Sequence, residues 1–357
     1  MKRFFLLTLS VLLSVTCLFG CTQHEGPLDE LEGSVTIYTT QSDAERALFE
    51  KMFTELYPQV EINWVHNSLA NSIAQLELDK NDPQCDVIIG GLMQSDGDLY
   101  THLFQQYTPR NIEEQLVVDD DHYYQYYVTQ VMTFLVNVKK LEEIGMNLGD
   151  IKGYDSLLDE RLKGSIISAD PTTAAVAWRQ LCTMLAIYGQ GNYSAQSLGW
   201  NYVEKLVDNL NGFMTANSAD VTRMVDSGEY AVGLSNESAC LQRIVNKVPD
   251  MAVVYPEEGN TEMAYAAAII KNCKNQEIAE KIIDYLLSKE YADARAEFLG
   301  TSRSTNRNAM KSEICPETEM LKLIELPYDI LKTNRPYLEV RFKDVWVKRG
   351  FKLPDQA

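Results

Sequence analysis

Histidine is scarce in this sequence: there are four, and one of them, His24, stands in a polar stretch near the N-terminus. General-base chemistry therefore has little to draw on. No G-x-S-x-G, HExxH or P-loop pattern occurs. The acid runs Glu113-Glu114 and Asp119-Asp120-Asp121 read as solvated loops. These absences argue against an enzyme and imply no cofactor. Basic residues are also under-represented, 32 Lys and Arg against 51 Asp and Glu, for a net charge of −19. Nucleic acid is a poor partner for such a chain, because phosphate backbones require Lys and Arg. A small anion is not excluded, since it needs only local donors. No CxxC motif or Cys/His cluster is present, which disfavours a zinc site. Five cysteines lie beyond Cys21, namely Cys85, Cys182, Cys240, Cys273 and Cys315, and an odd number cannot all pair within one chain. Cys85 and Cys273 fall in or near apolar strands and read as buried thiols. A Cys182–Cys240 disulfide is open, because both belong to the same expected lobe.

Long apolar runs are absent beyond the first twenty residues. That first run has the layout of a secretory signal peptide: Lys2-Arg3, then apolar Phe4 to Thr16, then Leu18-Phe19-Gly20-Cys21. It is too short for a transmembrane anchor. The small residue before Cys21 resembles a lipobox, so Cys21 is the expected lipidation site and mature N-terminus. Residues 1–20 are then the signal peptide and 21–33 a polar, acidic tether. The protein is expected outside the cytoplasm, lipid-anchored to the membrane. The rest of the chain, about 320 residues, is enough for two lobes.

The early chain alternates strand and helix. Val35 to Tyr38, Val60 to Val65 and Cys85 to Ile89 read as strands. Ser42 to Tyr57, Leu69 to Leu78 and Gln94 to Phe104 read as helices. This rhythm predicts right-handed βαβ units on a largely parallel sheet. Tyr123 to Val138 is a long β-rich stretch that leaves one lobe for another. Later helices are expected at Thr172 to Tyr188, Ala195 to Asn209, Ala219 to Val225, Gln276 to Leu287 and Ala292 to Phe298. Strands are expected at Ser165 to Ser168, Tyr230 to Leu234, Met251 to Tyr255 and Met263 to Ile270. Tyr328 to Trp346 reads as a helical tail interrupted at Pro336.

One arrangement recurs: a strand ends, hydroxyl or small residues come next, and a helix begins. It occurs at Thr39-Thr40-Gln41-Ser42 and at Ser168 to Ala174, which holds Thr172 and Thr173. A third instance runs from Thr301 to Arg307 and includes Arg303. Gly90-Gly91 is a related case, where missing side chains let a ligand approach the backbone. Helix-initial N–H groups lack partners and sit at the positive end of the macrodipole. With hydroxyl donors they bind carboxylate or phosphate without much basic charge. Each instance has a plain structural reading too. Ser42-x-x-Glu45 is a capping box, and Asp170-Pro171-Thr172 is an ordinary helix entry.

In "VTIYTTQSDAERALFEKMFTELYPQVEINWV", "NDPQCDVIIGG", "GSIISADPTTAAVAWRQLCTMLAIYG", "AAAIIKNCKNQEIAEKIIDYLLSKE" and "YDILKTNRPYLEVRFKDVW", taken in order, the sequence resembles the extracellular solute-binding proteins of bacterial ABC transporters. The branch it resembles holds ferric-ion, phosphonate and phosphosugar binders. The resemblance implies a type II periplasmic-binding-protein-like α/β fold. Each lobe would be a mostly parallel sheet flanked by helices, joined by hinge strands and closing on a ligand. The expected lobes are 34–130 with 264–305, and 131–263 with 306–357.

Ferric members of that family carry a tyrosine pair in the second lobe. Here Gly233 to Ala239 has none, which demotes iron. His66 comes after the second strand and is a candidate ligand contact, though a lone histidine there is more often a packing residue. An organic anion is favoured, a phosphosugar or phosphonate. Thr39, Thr40, Gln41, Ser42, Gly90 and Gly91 would hold it from one lobe, and Thr172 and Thr173 from the other. Arg303 is a candidate counter-charge, and Asn236 and Glu237 suit hydroxyls or an amine. Expected partners are an ABC permease or a membrane histidine kinase, with the chain itself a monomer.

Overall fold

The computed structural model of the protein describes residues 31–301 and 303–354. The expected signal peptide, the lipidation site Cys21 and most of the tether lie outside those residues. In chain order the elements are β1 (Glu32–Thr39), α1 (Asp43–Leu56), β2 (Gln59–His66), α2 (Leu69–Asp79), β3 (Val87–Leu92), α3 (Gln94–Leu99), β4 (Phe104–Gln105) and β5 (Gln125–Asn137). Then come α4 (Val138–Glu143), β6 (Ile166–Ile167), α5 (Ala175–Tyr188), α6 (Trp200–Leu210), α7 (Ser218–Asp226), β7 (Val232–Asn236), α8 (Glu237–Val245) and β8 (Met251–Val254). The chain ends with β9 (Glu262–Ile270), α9 (Gln276–Leu286), α10 (Lys289–Ala294), a π-helical turn (Arg295–Leu299), β10 (Arg303–Ser304) and α11 (Tyr328–Val347).

The strands take the order β2-β1-β3-β9-β5-β7-β6. β1 is parallel to β2 and β3, and β6 is parallel to β7, as the βαβ rhythm predicts. β9 and β5 run antiparallel at the middle of the path. β5 changes partners along its length: Gln125 to Val131 pair with β9, and Met132 to Asn137 pair with β7 and β8. All thirteen of its residues are buried. One strand therefore belongs to both halves of the molecule.

Side-chain alternation sorts the core into layers. On the β1–β3 side, Val35, Ile37, Val87, Ile89, Ala267 and Ile269 pack under α1 and α9 with Phe49, Phe53 and Ile282. The opposite face carries Ile88, Ala266, Ala268 and Ile270 against Ile73, Leu76 and Phe104. On the β7 side, Phe134, Val136, Val232 and Leu234 meet α5, α6 and α11. Leu135, Ile167, Val221, Val225 and Cys240 form the other face. Each fully buried Phe or Ile contributes roughly 1.5–3 kcal/mol. A small fifth cluster of Met93, Met132, Val176 and Met263 joins the two halves.

Three expectations change. Cys182 and Cys240 are free thiols, not a disulfide. They pack on opposite faces of the sheet, and burial pushes both thiols up to about 12. Pro336 does not interrupt α11. Leu331 before it and Leu338 after it are both held in the core, which outweighs one missing N–H donor. α5 starts at Ala175 rather than Thr172, because Asp170 closes a turn first. Its carboxylate accepts from Thr172 N at 2.8 Å and its carbonyl from Ala174 N at 2.9 Å. No helix among the described residues is long and apolar enough to cross a membrane.

Candidate functional site

The carboxyl ends of β1 and β3 meet at one point, the usual place for a ligand in an α/β sheet. Thr39 is buried there. Its hydroxyl donates to the Ile89 carbonyl at 2.9 Å and accepts from Gln41 N at 2.9 Å. Its one proton is committed to the turn, so it has no donor to offer an anion, against its expected place as a ligand contact. Ser42 caps α1 in the full capping box: its Oγ accepts from Glu45 N at 3.3 Å, and its N–H and Oγ donate to Glu45 Oε2 at 2.9 Å each. A carboxylate thus already occupies the α1 N-terminus, so this end is a weak anion jaw.

Gly90 and Gly91 have φ of +82° and +71°. The space left by their missing side chains is taken by the protein itself. A Cβ on Gly90 would lie 2.8 Å from Thr40 Oγ1 and 3.2 Å from the Tyr127 hydroxyl, and one on Gly91 would lie 2.8 Å from Thr40 Cγ2. The two glycines therefore admit Thr40, not a ligand, against the backbone. Thr40 is exposed above them. Gln41 is 3% exposed, donates from Nε2 to the Tyr127 hydroxyl at 3.5 Å, and keeps its Oε1 buried without a partner. His66 is exposed on β2, opposite Thr39 in the register, one strand out from the turn.

The other wall is built from α5 and the β7–α8 corner. Thr173 is exposed and its hydroxyl donates to the Ala216 carbonyl at 2.9 Å, while Thr172 stands in the turn before the helix. Neither starts α5. Its N-cap is Ala174, with no side-chain cap. Among the described residues no acceptor is found for the N–H groups of Ala175, Val176 and Ala177. Val176 packs with Met93, Met132 and Met263, and Ala175 and Tyr265 pack against that group. The open helix end therefore faces the junction of the two halves.

Arg179 lies one turn along α5, on the side of Ala175 and Val176. It is half-buried, and among the described residues its guanidinium forms no ion pair or side-chain hydrogen bond. With Met93, Trp178, Tyr328 and Arg335 it lines a narrow crevice of about 20 Å³. Tyr265 of β9 stands between the walls. Burial raises its hydroxyl above the ordinary range. Arg179 and a hydrogen bond from Asn236 oppose that shift, and Asp96 and Glu45 on the first wall add to it. A larger groove of about 550 Å³, between Asn211 to Ala216 and Gly350 to Pro354, contains none of these residues.

Glu237 and Arg303 are brought together, but to each other. Arg303 Nε donates to Glu237 Oε2 at 2.7 Å and Nη2 to Oε1 at 2.9 Å, and the Tyr255 hydroxyl donates to Oε1 at 2.8 Å. Arg303 also donates to the Pro316 carbonyl and to Thr318. Burial works against the Arg303 charge, and the Glu237 carboxylate outweighs it and holds the guanidinium charged. Glu237 is 0% exposed. Both residues are corrected from ligand contacts to a buried structural pair. Asn236 keeps a place at the cleft: its Oδ1 caps α8 by accepting from Ala239 N at 2.9 Å, and its amide reaches Tyr265.

Arg179, Tyr127 and Tyr265 were missed from sequence. Arg179 carried a usable signal, being the one charge in the helix sequence AVAWRQLCTMLAIY. Tyr265 is the one aromatic in EMAYAAAII. Tyr127 is hidden among other β-forming tyrosines.

The chain has recognisable relatives. A family model described as bacterial extracellular solute-binding protein matches residues 95–328. An uncharacterized protein of Haemophilus influenzae is 26% identical over 328 residues, 89% of this chain and 90% of that one. A putative 2-aminoethylphosphonate-binding periplasmic protein of Salmonella typhimurium is 21% identical, over 82% of this chain and 83% of its own. Among solved structures, the periplasmic binding protein AfuA of Actinobacillus pleuropneumoniae, with fructose-6-phosphate bound, superposes with a TM-score of 0.76 at 22% identity, over 88% of this chain and 98% of that one. The fold is thus the type II periplasmic-binding-protein fold expected from sequence, and the chain belongs to the bacterial extracellular solute-binding proteins.

Proposed function

We propose that this chain captures a small organic anion, a phosphosugar or phosphonate, between two lobes and delivers it to an ABC permease, while anchored to the membrane by a lipid on Cys21. The observation that carries the ligand class is the start of α5. Among the described residues, three unpaired N–H groups sit at the positive end of a 14-residue helix, with the unpaired Arg179 one turn behind them. A guanidinium binds a phosphoryl or carboxylate group through two parallel hydrogen bonds. The anion jaw is therefore on the second lobe. The first lobe supplies neutral groups, Gln41 and Thr40, with Asn236 and Tyr265 between. The names of the Salmonella and Actinobacillus relatives point to the same ligand class.

The lobes proposed are 34–130 with 264–305, and 131–263 with 306–357. The layered clusters on either side of Met132 support that division. The return crossing comes slightly later than Thr305. Asn306 Nδ2 still donates to Glu114 Oε2 at 2.7 Å, and Met310 N to Asp293 at 2.6 Å.

Thermal shift against phosphosugars, phosphonates, phosphate, dicarboxylates and ferric salts tests the reading. A true ligand at 100 times its Kd adds about 2.7 kcal/mol of stability. Arg179→Gln is expected to weaken the anion at least about tenfold, with little change in the unliganded Tm. A response to ferric ion alone, with red-brown colour, favours iron transport instead. Turnover of the ligand removes the binding-protein reading altogether.

A further inference from the structure

The π-helical turn Arg295–Leu299 puts an arginine in the core of the first lobe. Arg295 is 2% exposed. Its guanidinium lies between two aromatic rings, 5.2 Å from the Tyr127 centroid and 5.8 Å from that of Tyr291. Its Nη1 donates to the Tyr127 carbonyl at 3.4 Å. Its Nε and Nη2 are buried without a hydrogen-bond partner. Among the described residues its one ion-pair partner is Glu45, whose Oε1 is 4.0 Å from Nη2. A buried cation so loosely compensated costs stability, and an aliphatic side chain would fill the position better.

What the charge does is visible in where its neighbours lead. Through Tyr127 it reaches Gln41, whose Nε2 donates to the Tyr127 hydroxyl at 3.5 Å. Through Glu45 it reaches Ser42, whose N–H and Oγ both donate to Glu45 Oε2 at 2.9 Å. Two chains of contacts leave one guanidinium and arrive at two consecutive residues of the ligand-facing turn. Gln41 is itself buried, its Nε2 end is tied down, and its Oε1 is an acceptor with nothing to accept from.

We propose that Arg295 is a positioning residue, which through Tyr127 and Glu45 holds the Gln41 acceptor in place for a hydroxyl or ammonium group on the ligand. This rests on the anion reading above and narrows it. The ligand carries an anionic group for α5 and Arg179 and, at its other end, a hydrogen-bond donor for Gln41. Bare inorganic phosphate satisfies the first wall poorly. Fructose 6-phosphate and 2-aminoethylphosphonate each satisfy both.

Calorimetric titration of the mature chain with fructose 6-phosphate, 2-aminoethylphosphonate, methylphosphonate and inorganic phosphate is the test. Wild type is expected to bind one anion with a separate hydroxyl or ammonium donor at least about tenfold tighter than inorganic phosphate or methylphosphonate, whose only donors are on the phosphoryl group itself. Arg295→Met is expected to erase most of that ratio, and Arg295→Lys to restore part of it. Tyr127→Phe cuts the Gln41 arm while keeping the ring against the guanidinium, so it serves if Arg295→Met fails to fold. It is expected to lose the ratio as well. Arg295→Met added to Gln41→Ala is expected to lower the ratio no further than Gln41→Ala alone. Wild type that binds no anion of the series overturns the anion reading and this inference with it. Wild type that binds them all equally overturns this inference alone. So do variants that keep the wild-type ratio, or that add to Gln41→Ala.

Discussion

A hydroxyl, a carboxylate and a guanidinium each have a fixed number of bonds to give, and that inventory separates ligand contacts from structure. Thr39 has its one donated bond spent on Ile89 and accepts another from Gln41. Glu237 and Arg303 have spent theirs on each other and on Tyr255, Pro316 and Thr318. Arg179 has spent none among the described residues. Removing one partner of a buried pair strands the other, so Glu237→Gln is expected to cost about 3–5 kcal/mol. Glu237→Leu combined with Arg303→Met is expected to recover most of that loss. Urea denaturation measures both, and titration of ligand into the folded variants should find the affinity nearly unchanged. A fall in affinity with unchanged stability would return the pair to the site. From sequence the two charges looked as free as Arg179, since pairing across 66 positions is decided only by the fold.

At the scale of elements, most of the architecture was legible. Strand alternation and capping located α1, β2 and α2 to within about one residue at each end and β1 to within three, because local pattern and tertiary packing agree there. α1 is the clear case: Ser42 and Glu45 make the predicted box. α5 is the opposite case. Its Asp170-Pro171-Thr172 signal is real but starts a turn, and the helix begins three residues later with no side-chain cap. α8 was not predicted as an element, though Asn236 caps it: its nine residues follow β7 with no intervening loop. The end of β3 also has its own prediction. Gly90→Ala forces a Cβ to within 2.8 Å of Thr40 Oγ1 at a φ of +82°. It is expected to destabilise the protein by about 1–3 kcal/mol, read as a lower urea midpoint at unchanged slope. Unchanged stability would mean that Thr40 is free to leave, and that the space is a ligand's after all.

For the whole molecule, β5 is the decisive feature. A hinge is usually a few exposed loop residues, but here thirteen buried residues run through both halves and pair on both sides. β5 is the strand that links β9 to β7 in the sheet, so the two halves share it. Unfolding of the unliganded chain is therefore expected as one transition, with calorimetric and van't Hoff enthalpies equal. Two resolved transitions would show that the lobes are thermodynamically separate. If the halves close on a ligand, the bend is expected near Met132, where β5 changes partners and the small methionine cluster joins them.

Sequence by itself determined the family, the alternating architecture, the acidic character, and the turn at Thr39 to Ser42. All of these rest on local pattern or composition, which needs no coordinates. Only the tertiary structure decided which polar groups are free. It committed Thr39's proton, Glu237 and Arg303 inside the protein, filled the space over Gly90 and Gly91 with Thr40, and among the described residues left Arg179 and the first N–H groups of α5 unpaired. The reason is that a hydrogen bond or ion pair is a property of two positions, and the partners lie as far apart as Glu237 and Arg303, or Gln41 and Tyr127.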